Sequence, residues 1–155
     1  MFTIVHTDDC LENAKAISSA IGESVLIPVS KALSDPSVLG EFDNLGLVFR
    51  NDGPSLPVSM QDFIRDVLSS YDLSGLQYMF SVCESDNGPG HSLKIVEKLC
   101  AKVGCAPSLS YVHKSGQSYE EMASLVEKGS IVLAKGSLGT SFYMLTHGIK
   151  TRKTR

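Results

Sequence analysis

Apolar residues fall into short runs separated by helical periodicity. Phe2 to His6 is a brief apolar run, and Leu11, Ala14, Ile17 and Ile21 then recur at helical spacing until Gly22. A first strand–helix unit follows. Ser24 to Val29 reads as a second strand, Ala32 to Leu39 as a weakly helical or irregular stretch in which Asp35-Pro36 starts a short helix. Leu45-Gly46-Leu47-Val48-Phe49 is continuously apolar, as expected of a strand buried on both faces of a parallel sheet. A helix begins near Pro57 with Met60, Phe63, Ile64, Val67 and Leu68 on one face. Leu76 to Val82 gives a fourth strand, and Leu93, Val96, Leu99 and Cys100 a helix closed by Gly104. Leu109 to Val112 is the fifth strand, and Ser118 caps a helix whose first turn holds Glu120 and Glu121. Ile131 to Ala134 either prolongs that helix or forms a sixth strand, and Thr140 to His147 reads as a terminal helix. Strands alternating with helices specify a doubly wound α/β fold with a parallel sheet and right-handed crossovers.

Composition narrows the class. The chain has 155 residues, 43% of them hydrophobic, enough for a single domain over 1–155 with a sizeable core. A formal charge of −3 provides no global basic field, so no nucleic-acid partner is expected. The basic residues Lys150, Arg152, Lys153 and Arg155 concentrate in the segment 150–155, which reads as a frayed tail. Cys10, Cys83, Cys100 and Cys105 form no Cys-x-x-Cys pair and have no histidines at zinc spacing, so buried, reduced thiols are expected rather than a metal site. Met1 leads directly into a strand pattern, and no apolar run approaches the ~18 residues of a membrane span. Those features predict a cytoplasmic protein with no membrane partner.

In an open α/β sheet, ligands bind outside the carboxyl ends of the strands where strand order reverses. Three loops converge there: Thr7–Asn13, Arg50–Pro57 and Glu84–His91. The first is the most informative, because Asp8, Asp9 and Glu12 occupy a turn that holds a phosphate in many nucleotide-binding domains. They repel a dianion. A plainer use of Asp8 or Asp9 is to cap the following helix.

The second and third loops carry a family resemblance. Leu45 to Phe49, then Gly53-Pro54-Ser55-Leu56-Pro57 and Phe63-Ile64, resemble the third strand, Leu-Pro loop and following helix of flavodoxin-like domains. Met79 to Cys83, then Gly88-Pro89-Gly90 with Leu93, Leu99 and Gly104, are similar to that family's fourth strand and glycine-bearing loop. The resemblance covers roughly residues 1–120. It implies a three-layer α/β/α sandwich with a five-stranded sheet in the order 2-1-3-4-5, FMN as cofactor, and electron transfer with a redox or regulatory protein partner. Carried onto this chain, the ligand positions are Thr7, Asp9, Asn13, Asn51, Gly53, Pro54, Glu84, Ser85, Asn87 and Gly88.

All three loops depart from the family's pattern. Of its hydroxyl- and glycine-rich phosphate turn only Asn13 and Thr7 survive, with Asp9, Leu11, Glu12 and Ala14 in the other places. The family's flavin-stacking aromatics are replaced by Asp52 in the second loop and by Ser85 or Asp86 in the third. Two or three lost charge-assisted hydrogen bonds at about 1.5–3 kcal/mol each weaken a phosphate by orders of magnitude. The expectation is a flavodoxin-like fold with an altered ligand site.

Two other functions share this architecture. A non-catalytic interaction or regulatory module would keep the core and lose the ligand motif. A phosphoacceptor receiver would use Asp8, Asp9, Asp52 and Lys114 with Mg²⁺. Against it, Phe49 and Arg50 end the third strand where the acceptor belongs, and Ser115-Gly116 follows the lysine. The histidines His6, His91, His113 and His147 read as hydrogen-bonded structural residues, and Cys10 as an ordinary thiol pulled in opposite directions by the helix dipole and its acidic neighbours.

Overall fold

The computed structural model describes residues 1–137, with side chains described through 129; the expected terminal helix at 140–147 and the basic tail at 150–155 lie outside that range. Five strands, β1 (Phe2–His6), β2 (Ser24–Pro28), β3 (Asn44–Arg50), β4 (Tyr78–Glu84) and β5 (Leu109–His113), form one sheet in the order β2-β1-β3-β4-β5. Every pairing is parallel. The helices are α1 (Leu11–Ile21), α2 (Val29–Ser34), α3 (Val58–Asp62, continued by a π-helical turn to Val67), α4 (Ser92–Val103) and α5 (Glu120–Ser137).

Strand alternation divides the core into two faces. Val5, Leu45, Leu47, Phe49, Met79 and Cys83 point to one side and pack on Ala32 of α2, Met60, Phe63 and Ile64 along α3, and Val96 and Cys100 of α4. Ile4, Val48, Phe80 and Val82 point to the other and pack on Ala14 and Ile17 of α1 and Met122 and Val126 of α5. Gly46 is needed in the middle of β3, where a Cβ would overlap the Phe80 ring of the adjacent strand.

Element boundaries moved in three places. β2 stops at Pro28 and Val29 opens α2, whose end passes through Asp35; the Asp35 carboxylate accepts from the Ser37 N–H at 3.3 Å and caps the 3₁₀ turn Pro36–Leu39. β4 begins two residues later than its apolar run and runs on to Glu84. Ile131 to Ala134 lies within α5 and not in a sixth strand. At the start of α5, Ser118 Oγ accepts from the Glu120 N–H at 3.3 Å, as the capping pattern requires.

Candidate functional site

Parallel pairing brings the carboxyl ends of β1, β3, β4 and β5 to one edge, and their last residues are all polar: His6, Arg50, Glu84 and His113. From β1 the chain enters a 3₁₀ turn, Asp8–Cys10, before α1. Neither Asp8 nor Asp9 caps the helix. Thr7 Oγ1 donates to Asp9 Oδ1 at 2.8 Å, the Cys10 N–H is taken by the Thr7 carbonyl at 2.8 Å, and Asp8 Oδ1 accepts a long 3.4 Å bond from the Ser30 N–H.

Arg50 reaches from the end of β3 over this turn. Its guanidinium donates to Asn13 Oδ1 at 3.2 Å, and its Nε stands 3.8 Å from Asp9. Asn13 in turn donates from Nδ2 to the Tyr119 hydroxyl at 2.9 Å. Tyr119 donates to Glu84 Oε2 at 2.5 Å, and Glu84 Oε1 meets His113 Nδ1 at 2.7 Å. The far nitrogen of His113 lies 2.9 Å from the Gln117 carbonyl, which only accepts, so Nε2 carries a hydrogen. The His113 and Tyr119 rings stack with centroids 3.8 Å apart and planes 10° from parallel. A continuous polar chain therefore crosses the mouth from Asp9 to β5.

Burial sets its electrostatics. Glu84 and His113 are 3% and 4% exposed, so the pair is held almost out of water, with Tyr119 donating to the second Glu84 oxygen and the Gln117 carbonyl accepting from His113 Nε2. Burial first, and the bond to Glu84 second, raise the Tyr119 hydroxyl well above the usual tyrosine range. Burial likewise pushes Cys10 up to about 11, outweighing the bond from Thr7, with Asp9 adding to the rise. The carboxylate neighbours expected to raise Cys10 do so, but desolvation is the larger cause. His6, at the end of β1, donates from Nδ1 to the Thr7 carbonyl at 2.8 Å, and its buried Nε2 has no partner among the described residues.

The second and third loops are bound to each other. Asp52 and Ser55 exchange backbone bonds of 2.9 and 3.2 Å around Gly53-Pro54, with Gly53 at φ +64°. Asn51 Nδ2 donates to the Gly88 and Pro89 carbonyls at 3.2 and 3.0 Å, and the Cys83 thiol donates to Asn51 Oδ1 at 3.0 Å. The His91 N–H bonds the Pro54 carbonyl at 2.7 Å, and Gly90 at φ +55° touches the Pro54 backbone so closely that a Cβ would overlap it. Asp86 fastens the third loop to the segment after β5, accepting from the Ser115 N–H at 2.7 Å and its hydroxyl at 2.9 Å. These two bonds hold its carboxyl below the usual range.

Between these loops lies a cleft of about 500 Å³. Asn51, Gly53, Pro54, Glu84, Ser85, Asn87 and Gly88, all predicted ligand positions, line it together with Arg50, Asp86 and Gly90. The remaining three, Thr7, Asp9 and Asn13, are gathered instead by the Arg50 bridge. Sequence reasoning missed Arg50, His113 and Tyr119 as parts of one network; the only signal in the chain is that polar residues end β3, β4 and β5. Of the receiver-like set, Asp52 stands exposed in the hairpin turn and Lys114 is exposed beyond β5. Among the described residues no group of three or more His, Cys, Asp or Glu side chains is arranged to hold a metal ion, and no helix is long and apolar enough to cross a membrane.

The side chains of the first turn are engaged with one another. Thr7's hydroxyl donates to Asp9, both ends of the Asn13 amide are engaged by Tyr119 and Arg50, and the carboxylates Asp8, Asp9 and Glu12 face two cations, Arg50 beside Asp9 and Lys15 at 3.4 Å from Glu12.

Strand order and three-layer packing define a flavodoxin-like α/β fold. Solved structures agree on the fold. The chain is similar to a short-chain flavodoxin associated with a PDU bacterial microcompartment, with a TM-score of 0.60 at 19% identity, 88% of this chain and 97% of that one being covered. The flavodiiron core from Synechocystis sp. PCC6803 gives 0.59 at 14% identity, with 87% of this chain covered but only 35% of that one. Flavodoxin 1 from Bacillus cereus gives 0.51 at 21% identity over 90% of this chain and 98% of that one. No protein-family profile and no curated protein sequence matches the chain.

Proposed function

We propose that this chain is a binding or regulatory module on a flavodoxin-like fold, which recognises a small ligand or a protein partner at the cleft between the loops after β3 and β4 and does not hold FMN by its phosphate. The observation that carries this reading is the closed first turn, in which Arg50, Asp9 and Asn13 satisfy one another. The cleft supports it, since about 500 Å³ lies within the range of small-molecule sites. A second reading keeps flavin-dependent electron transfer to a redox partner, with a ring in the cleft and no use of the phosphate turn. It is favoured by the position of the cleft against β3 and β4, and by the flavodoxins among the similar structures. Flavin fluorescence on titration of the purified protein separates the two. The module reading expects no quenching of micromolar FMN or riboflavin; equal quenching of both establishes the second reading. Tight quenching of FMN alone overturns the closed-turn argument.

A further inference from the structure

Helix α4 ends in a Schellman motif that joins two cysteines through their backbones. Gly104, at φ +96° and ψ +23°, takes the left-handed position; its N–H bonds the Ala101 carbonyl at 3.3 Å, and the next N–H, that of Cys105, reaches back to the Cys100 carbonyl at 2.9 Å. In this motif the residue after the glycine and the one five places earlier are the pair whose side chains meet. Here those residues are Cys105 and Cys100, joined through the backbone bond. Cys100 is fully buried in the core face against α2, α3 and α4, while Cys105 packs on the edge of that cluster and is half-buried. A backbone hydrogen bond between two residues keeps their Cα atoms near the roughly 4.4–6.8 Å that disulfides span.

We propose that Cys100 and Cys105 are a dithiol modification site, oxidised to an intramolecular disulfide by exchange with a small-molecule disulfide such as oxidised glutathione. Cys105 is the attacking sulfur. Its thiolate opens the S–S bond of the small disulfide, forming a mixed disulfide and releasing one small thiolate, which takes up a proton. Cys100 then loses its proton and displaces the second small thiol, closing the protein disulfide. The protein has lost two hydrogens and the small disulfide has been reduced to two thiols. Cys105 is the more accessible of the two and the neighbouring Cys100 thiol draws it below the usual thiol range, while Cys105 and burial push Cys100 up, which orders the two steps. Cys10 and Cys83 are both buried, with thiols raised by desolvation, and take no part.

The full chain is incubated with oxidised glutathione, and free thiols, intact mass and a tryptic map are recorded. The expected result is a fall from the four cysteines of the chain to two free thiols with a loss of two hydrogens. Because Lys102 lies between the two cysteines, trypsin leaves their peptides joined only through the new bond. Cys100→Ser is expected to stop at a stable glutathione adduct on Cys105, and Cys105→Ser to form neither adduct nor bridge, with circular dichroism confirming that both variants fold. Should Cys100→Ser unfold, Cys100→Ala serves in its place. Four thiols retained by the wild type, a bridge to Cys10 or Cys83, or an adduct on Cys105 that never closes would overturn the proposal.

Discussion

The Tyr119 hydroxyl donates a 2.5 Å hydrogen bond to Glu84 Oε2, while the Tyr119 ring lies flat on His113, the residue that holds the other Glu84 oxygen. One aromatic side chain from the start of α5 thereby covers and completes a hydrogen-bonded pair formed by the ends of β4 and β5. Through Asn13 the same hydroxyl is tied to Arg50 and so to the acidic turn after β1.

Removing the carboxylate should expose how much this network holds. Glu84→Ala leaves the imidazole and the phenol buried without their acceptor, and each buried group left unsatisfied costs about 1–3 kcal/mol. Urea denaturation is the measurement. A loss below about 1 kcal/mol, the range of an exposed pair, would mean that the site is wetter than its burial implies.

Gly90 seals the two cleft loops by approaching the Pro54 backbone at a positive φ of 55°. Gly90→Ala introduces a Cβ that overlaps Pro54 and strains the backbone, with an expected cost of about 1–3 kcal/mol. Gly53→Ala, at φ +64° but with open space around it, should cost less. Thermal melts of the two variants compare the clash with the backbone term alone.

Asp86 should give the domain an acid-sensitive link between the third loop and β5. Its carboxyl is held below the ordinary 3.8, by the Ser115 backbone bond first and the Ser115 hydroxyl second. A depressed folded value means that the contribution is present above pH 3.8 and lost as pH falls through the folded value. In a carboxyl NMR titration Ser115→Ala should move Asp86 upward, with the backbone bond retaining part of the shift. No movement would show that the hydroxyl contributes nothing.

Cys10 should behave as a protected thiol. Burial raises it from 9.0 to about 11, so folding favours the protonated form. That contribution is complete below pH 9.0 and is lost as pH rises through about 11. Thiolate ultraviolet absorbance in Cys83→Ser, Cys100→Ser, Cys105→Ser protein isolates this group. Ionisation at or below pH 9.0 would contradict the buried placement.

What was readable in the chain was its layering. Buried parallel strands are apolar runs whatever their neighbours, so Leu45 to Phe49 and Met79 to Cys83 declare themselves locally, as do the faces of α1 and α4. The three ligand loops followed, because a doubly wound sheet brings strand ends together as a matter of connectivity. The acidic first turn was equally plain.

Which side chain answers which was decided only in three dimensions. β4 runs past its apolar residues to Glu84 because that carboxylate is satisfied by His113 and Tyr119, which lie 29 and 35 positions away in the chain. Arg50 engages Asn13 at a separation of 37, and no periodicity records such a pair. Hydrophobic pattern reports how deeply a residue is buried, since burial depends on one side chain's own transfer from water. A hydrogen bond depends on two groups meeting at a fixed distance, and for Asp9, Arg50 and Asn13 that meeting exists only once β1 and β3 lie side by side.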